Sequence, residues 1–360
     1  MNFKNNFDFL RLIFAIFVLI THSYPLSGFE ENDILSQLTN GHFSFSYIGV
    51  KGFFIISGYL IFQSLIRSKS LIDFYWKRFL RLFPALIFLL FLTLLLAPII
   101  YESPIKYLQN KQVYSYFFKN IMLYRLQYSI QGVFDKNIYG SAINGSLWTI
   151  CYEFTMYILL SILFFVKSNK MVLKILTILI FVLFTMNFCF FKSNFAFNFY
   201  QLESKYLYEL GAFFLAGTIL ALFNFSEFKH HRMLVFISII ILILSELFLK
   251  DVFLIRVLTF SIIIIGFGLQ STKYINNISE KIGDLSYGIY IYGFPIQQTI
   301  MYYFNCNPIQ LMLLSITISI VFAYFSWHLI EKNALKLKSI NFTKKIIQII
   351  QNACYNYSIL

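Results

Sequence analysis

Runs of about 18 or more mostly apolar residues, separated by polar breaks, recur along the whole chain; this is the pattern of helices long enough to cross a bilayer. It predicts ten spans, at 7–26, 45–66, 79–100, 147–166, 172–191, 206–224, 233–249, 253–270, 285–304 and 308–330. Only Lys250-Asp251 separates the seventh span from the eighth, whereas a long polar loop, roughly 101–146, separates the third from the fourth. After the tenth span, residues 333–360 form a basic tail in which Lys344 and Lys345 precede Ile346, Ile347, Ile349 and Ile350. That mixture suits either a short amphipathic helix lying on the membrane or a frayed end. The expected fold is therefore all-α: a polytopic helical membrane protein of about ten transmembrane helices, with a membrane domain over 1–332 and a tail over 333–360. No internal repeat and no matched pair of Gly/Pro-broken spans marks an inverted-repeat carrier.

Composition agrees, with 59% of the 360 residues hydrophobic and 12% charged, which excludes a water-soluble domain. An even number of spans returns both termini to one side. Placing that side in the cytoplasm puts most of the 29 Lys and Arg there, as positively charged loops require. The net charge of +13 is then read as membrane anchoring and headgroup attraction, with no nucleic-acid partner. The four cysteines show no paired spacing and are read as structural, with no metal site. Asp8 and Arg11 at the start of the first apolar run, and the lack of a small-residue cleavage site, argue that this run is retained as a span.

Ionisable groups inside spans are expensive and so are candidates for chemistry. Three stand out: Arg11, His22 and Glu153. Eleven helical steps from Arg11 to His22 end about 20° past three full turns, so the two share a face about 16.5 Å apart along the axis. Such a stripe suits a long anionic ligand with its phosphates at Arg11 and its reactive end at His22. Alternatively Arg11 pairs with Asp8 one turn earlier, or snorkels. Glu153 is expected about 9 Å below the outer surface, near the depth of His22. There it would either orient the imidazole as a base or serve as a structural ion pair or protonated acid. Lys77, Arg78 and Arg81 cluster at the inner mouth of the third span, with Arg78 and Arg81 placed to clamp phosphates or to anchor the helix. Gly49-Val-Lys-Gly-Phe-Phe-Ile-Ile-Ser-Gly58 reads as a close-packing surface. Three tyrosines, a proline and two glutamines between Asp284 and Gln298 point to a cavity lining, to which aromatic-belt residues contribute.

Taken in order, these stretches resemble the acyltransferase-3 family of bacterial inner-membrane acyltransferases over about residues 7–332. The resemblance lies in Arg11 and His22, in Gly49 to Gly58, in Arg78, Arg81 and Pro84, in Ser146-Leu-Trp148 followed by Glu153, in Ser286, Tyr287 and Tyr290, and in Ile330-Glu331. It implies an enzyme of the bacterial cytoplasmic (inner) membrane that moves a short acyl group, commonly acetyl, from cytoplasmic acyl-CoA to a sugar hydroxyl of an envelope glycan or a lipid-linked sugar. Acyl-CoA would be a donor substrate, with no permanently bound cofactor. His22 and Glu153 would be catalytic; Arg11, Arg78, Arg81, Trp148, Tyr287 and Tyr290 would bind substrate. Two departures are visible. Gly293-Phe-Pro stands where the family often has His before Pro, and the chain is expected to lack the additional esterase-like domain of some relatives. Rival readings are a transporter or flippase for a lipid-linked sugar, which would move substrate without acylating it, and an envelope glycan polymerase, which would alter chain length.

Overall fold

The structure, a computed structural model, describes residues 5–190, 198–249, 252–276 and 278–339. Ten long helices occupy the ten expected positions: α1 (Phe7–Leu26), α2 (Phe45–Arg67), α3 (Leu71–Leu96), α4 (Trp148–Ser161), α5 (Lys170–Phe190), α6 (Ser204–Leu222), α7 (His231–Phe248), α8 (Phe253–Gly268), α9 (Ser286–Tyr303) and α10 (Pro308–Ser326). Eight of the corresponding segments are long and apolar enough to cross a membrane. Of the other two, α8 has 16 residues, and α9 carries tyrosines and glutamines along its 18. Large apolar side chains on the outer helices face outward, as with Phe236 and Leu247 on α7, which are 65% and 69% exposed. Such a surface is stable against lipid. The protein is an all-α, polytopic membrane protein.

The third helix starts earlier than expected, at Leu71 rather than 79. Ser70 caps it by accepting from the Asp73 backbone, and Asp73 pairs with Lys77 at 2.7 Å one turn on. This stabilised polar first turn places Lys77, Arg78 and Arg81 on rigid helix. At the other end of the tenth span, α10 passes through a π-helical turn, Trp327–Glu331, into a short helix, Lys332–Lys336, and a 3₁₀ turn, Leu337–Ser339. The remainder of the tail, including the expected amphipathic helix, lies outside the described residues.

Backbone contact, rather than side-chain interdigitation, joins α2 to α6. A Cβ on Gly58 would stand 1.8 Å from the Phe214 carbonyl oxygen, and one on Gly217 would stand 2.1 Å from that of Ile55. Thr218 Oγ1 donates to the Gly58 carbonyl at 3.2 Å. Without a hydrophobic drive between helices in lipid, such small-residue approach is a main source of cohesion.

The 101–146 segment is folded onto the bundle. It carries a helix, Lys111–Ile121, and then returns to the ends of the long helices. Ile143 N donates to Tyr128 O at 2.7 Å, and Asn144 Nδ2 donates to the Ile291 carbonyl at 2.9 Å. Gln298 Nε2 donates to the Ala142 carbonyl at 2.6 Å. Gln297 Nε2 donates to Leu19 O and Ser23 Oγ, both at 2.9 Å. Both glutamines thus brace segments through their Nε2 donors rather than lining a cavity, while Gln297 Oε1 is left without a partner among the described residues. The lining role expected of this helix is taken by Tyr287 and Tyr290 at one cavity and by Tyr292 and Pro295 at another.

The bundle has two distinct ends. The basic end holds the start of α1, the end of α2 and the starts of α3 and α9; the loop end carries the folded 101–146 segment.

Candidate active site

At the basic end, the starts of α1, α3 and α9 place charge around one small cavity of about 70 Å³, lined among others by Arg11, Ser57, Arg78, Arg81, Glu153 and Tyr290. Asp284, just ahead of α9, is its anchor. Its Oδ2 accepts from Arg81 Nη2 at 2.7 Å and from Arg11 Nη1 at 3.4 Å, while Oδ1 accepts from Ser286 Oγ at 2.7 Å. Asp8 lies farther from Arg11, at 3.9 Å. The pairing expected within α1 is therefore secondary to one reaching across to α9. Asp284 was not among the residues singled out by sequence, although a carboxylate one step before a span, opposite three arginines, is a readable signal.

Arg78 differs from its neighbours. Its Nη2 donates to Ser64 Oγ at 3.3 Å, its guanidinium lies 5.9 Å from the Phe74 ring and 6.0 Å from that of Tyr157, and its buried Nε has no hydrogen-bond partner. Unlike Arg11 and Arg81 it makes no ion pair among the described residues, so it has donor capacity to spare for an anion.

Glu153 points into this same cavity. Its Oε1 accepts from Ser57 Oγ at 2.7 Å and from Tyr157 OH at 2.5 Å. Tyr157 follows one turn after Glu153 on α4, and Ser57 comes from the glycine-rich face of α2. Neither was singled out from sequence, because ordinary hydroxyls become notable only once they meet a carboxylate.

His22 lies in a second, larger cavity towards the loop end, about 580 Å³, whose wall includes Glu31, Ser46, Tyr128, Trp148, Tyr290 and Phe294. The imidazole packs edge-on against Phe294, with ring centres 5.6 Å apart, and its Nδ1 is buried without a hydrogen-bond partner. The structure does not pair it with Glu153, whose contacts lie in the other cavity. Shared depth along two helices fixes one coordinate only; the faces they present are set by packing. The acid on the wall of the His22 cavity is Glu31, in the turn after α1. Burial and the neighbouring Asp33 push its carboxyl above the usual range, against a hydrogen bond from Ser46. Asp33 holds this turn in place by accepting from Thr21 Oγ1 at 2.5 Å and from Phe45 N at 2.9 Å.

Tyr290 and Val50 line both cavities, so Arg11 and His22 face adjoining spaces, as the stripe on α1 predicts. Tyr290 OH donates to the Ser146 carbonyl at 3.0 Å and pairs with Thr149 Oγ1 at 2.5 Å, which fixes the partition between them. Tyr287 OH donates to the Leu82 carbonyl at 3.0 Å. Its ring thus lines the basic cavity while its hydroxyl ties α9 to α3. Trp148, at the first turn of α4, lines the His22 cavity. Glu331 is buried by the π-helical turn, with Oε1 accepting from Ser326 Oγ at 3.0 Å. Chemically, the arrangement offers anion recognition in one cavity and an unpaired imidazole nitrogen in the adjoining one.

Residues 4–328 match the acyltransferase domain of the acyltransferase-3 type. The chain is similar to an "O-acetyl transferase" of Shigella phage Sf6, at 31% identity over 346 residues, covering 94% of this chain and 98% of that protein. It is also similar to "Nodulation protein 10" of Rhizobium leguminosarum bv. viciae, at 34% identity over 172 residues and 44% of each chain. No solved structure matches it. A bundle of ten helices that sets three arginines and Glu153 around one cavity and His22 in the adjoining one, together with a family match along nearly the entire chain, makes this protein a member of the acyltransferase-3 family of membrane acyltransferases.

Proposed function

We propose that the protein is an O-acetyltransferase of the bacterial cytoplasmic membrane, moving acetyl from acetyl-CoA to a hydroxyl of an envelope glycan or lipid-linked sugar. The basic end faces the cytoplasm in this reading, in keeping with its excess of Lys and Arg. A cavity of about 70 Å³ has the volume of roughly two waters, too little for a nucleotide. The phosphates of the donor therefore stay at the mouth, on Arg78 with Arg11 and Arg81, while the narrow thioester arm passes Tyr290 towards His22.

At His22 the imidazole nitrogen takes the proton of the acceptor hydroxyl as its oxygen attacks the thioester carbonyl. The C–O bond forms, the C–S bond breaks, and the proton passes to the leaving CoA thiolate, so the base is regenerated. Glu31, on the wall of the same cavity, is the carboxyl placed to favour the imidazolium formed midway. Glu153 acts from the donor side, positioning Ser57 and Tyr157 along the path of the arm.

The observation that carries this reading is the adjoining pair of cavities, one with three guanidiniums and one with an unpartnered histidine nitrogen. The relative from phage Sf6, named for O-acetyl transfer, supports the choice of acyl group. The test is transfer of labelled acetyl from acetyl-CoA into base-labile envelope material by membranes holding wild type or His22→Ala at matched abundance. Label that depends on both protein and His22 is the expected result. Movement of an unmodified lipid-linked sugar, with no acyl-CoA dependence, would overturn it in favour of transport.

A further inference from the structure

Beside the His22 cavity lies a third cleft, about 310 Å³, lined by Tyr128, Trp148, Tyr152, Gln201, Glu203 and Tyr206. Two of these residues, Tyr128 and Trp148, also line the His22 cavity, so the cleft opens next to the candidate base. Its aromatic rings hold one another at steep angles: Trp148 lies 5.1 Å from Tyr206 and 5.5 Å from Tyr152, and Tyr152 lies 6.3 Å from Tyr206. Edge-on packing of this kind fixes ring orientation. An amide side chain, Gln201, and a carboxylate, Glu203, complete the lining.

The polar edge is held by a strained hairpin. Strands β1 (Asn198–Phe199) and β2 (Leu202–Glu203) pair across a two-residue turn, Tyr200-Gln201, whose φ angles are +49° and +67°. Turns with positive φ at both centres ordinarily use Asn-Gly, and larger side chains persist there only when their surroundings over-determine them. Here the Arg125 guanidinium lies 3.9 Å from the centre of the Tyr200 ring, Arg125 N donates to Tyr200 O at 3.3 Å, Gln201 Nε2 donates to Leu126 O at 3.1 Å, and Glu203 N donates to Tyr152 OH at 2.9 Å. The backbone is thereby fixed where it presents Gln201 and Glu203 to the cleft.

We propose that this cleft is the acceptor subsite and binds a sugar ring, an assignment that rests on the acetyl-transfer reading for its purpose but not for its test. A pyranose has apolar C–H faces, which suit aromatic rings, and equatorial hydroxyls, which suit amide and carboxylate acceptors. The cleft offers both on a rigid frame, at the lower end of the size range of small-molecule sites, about 300–1,000 Å³. A ring seated there projects a neighbouring hydroxyl past Trp148 to His22.

Saturation-transfer NMR tests binding without catalysis, using full-length protein in lipid nanodiscs and a panel of methyl glycosides: glucoside, galactoside, rhamnoside and N-acetylglucosaminide. Ring C–H signals of at least one glycoside should saturate with wild type and with His22→Ala, and should lose most of that saturation with Tyr206→Ala and with Glu203→Gln. Matched elution and melting temperatures establish that each variant is folded, and Tyr206→Phe, which keeps the ring, should restore the signal. Saturation by none of the panel, or equal saturation in folded Tyr206→Ala, would overturn the proposal. Cleft-dependent binding without any acetyl transfer by wild type would leave the subsite standing and remove the acetyltransferase reading.

Discussion

Ser57 Oγ donates to Glu153 Oε1 at 2.7 Å, across 96 residues of sequence, and so locks α2 to α4 beside the arginine-lined cavity. The same oxygen takes the Tyr157 hydroxyl. Glu153→Ala should strand two buried hydroxyls at about 1–3 kcal/mol each, lowering the melting temperature in detergent. Glu153→Gln keeps an acceptor oxygen and should lose far less stability. If folded Glu153→Gln also keeps its transfer rate, the carboxylate charge has no part in the reaction.

Arg78 and Arg81 should separate binding from stability. Arg78→Ala removes spare donor capacity and should raise the KM for acetyl-CoA about tenfold or more, the scale of one charge-assisted hydrogen bond, with little change in melting temperature. Arg81→Ala leaves the buried Asp284 without its 2.7 Å partner, and loss of one member of such a pair costs about 3–5 kcal/mol. Donor-dependent kinetics and thermal unfolding on both variants check the contrast. Equal effects of the two on either quantity would contradict it.

A pH dependence follows from Lys338, beyond the last span. Loss of part of its hydration and the nearby Arg81, Arg78 and Arg11 guanidiniums push its ammonium, on an exposed residue, down to about 8. Below that pH the charged lysine adds to the attraction for an anionic donor; above it the charge is lost and the KM for acetyl-CoA should rise. Lys338→Gln should flatten this rise and leave the KM at its high-pH level throughout. Because the folded protein binds the proton less tightly than the unfolded chain, the same group should add stability as pH climbs from about 8 towards the ordinary lysine value near 10.5.

His22→Leu provides a test of a different kind. The buried Nδ1 lacks a partner, so replacing the ring by an apolar side chain removes an unsatisfied polar atom. The variant should melt at the same temperature as wild type or higher while losing about 10²–10⁴-fold in transfer rate. A large drop in melting temperature would instead mark His22 as structural.

The positions of all ten helices were legible in the chain, because hydropathy is a property of consecutive residues and a bilayer demands their length in every span. The stripe of Arg11 and His22 was legible for a similar reason, since helix geometry alone puts them on one face. The start of α3 was not, because the Ser70 cap and the Asp73–Lys77 pair offset the polarity of a first turn that hydropathy discards. Nor was the separation of His22 from Glu153, since a shared depth says nothing about which neighbouring helix each face meets.

By itself, then, the sequence determined a ten-helix membrane bundle, its basic end and the residue types available for chemistry, all consequences of local periodicity and of the energetic demands of lipid. Only the tertiary structure decided that Asp284 gathers Arg11 and Arg81, that Glu153 belongs with Ser57 and Tyr157, and that Glu31 and Trp148 share a cavity with His22. Those relationships join residues far apart in the chain, and they depend on how closely backbones approach, as at Gly58 and Gly217, which no pattern of neighbouring residues encodes.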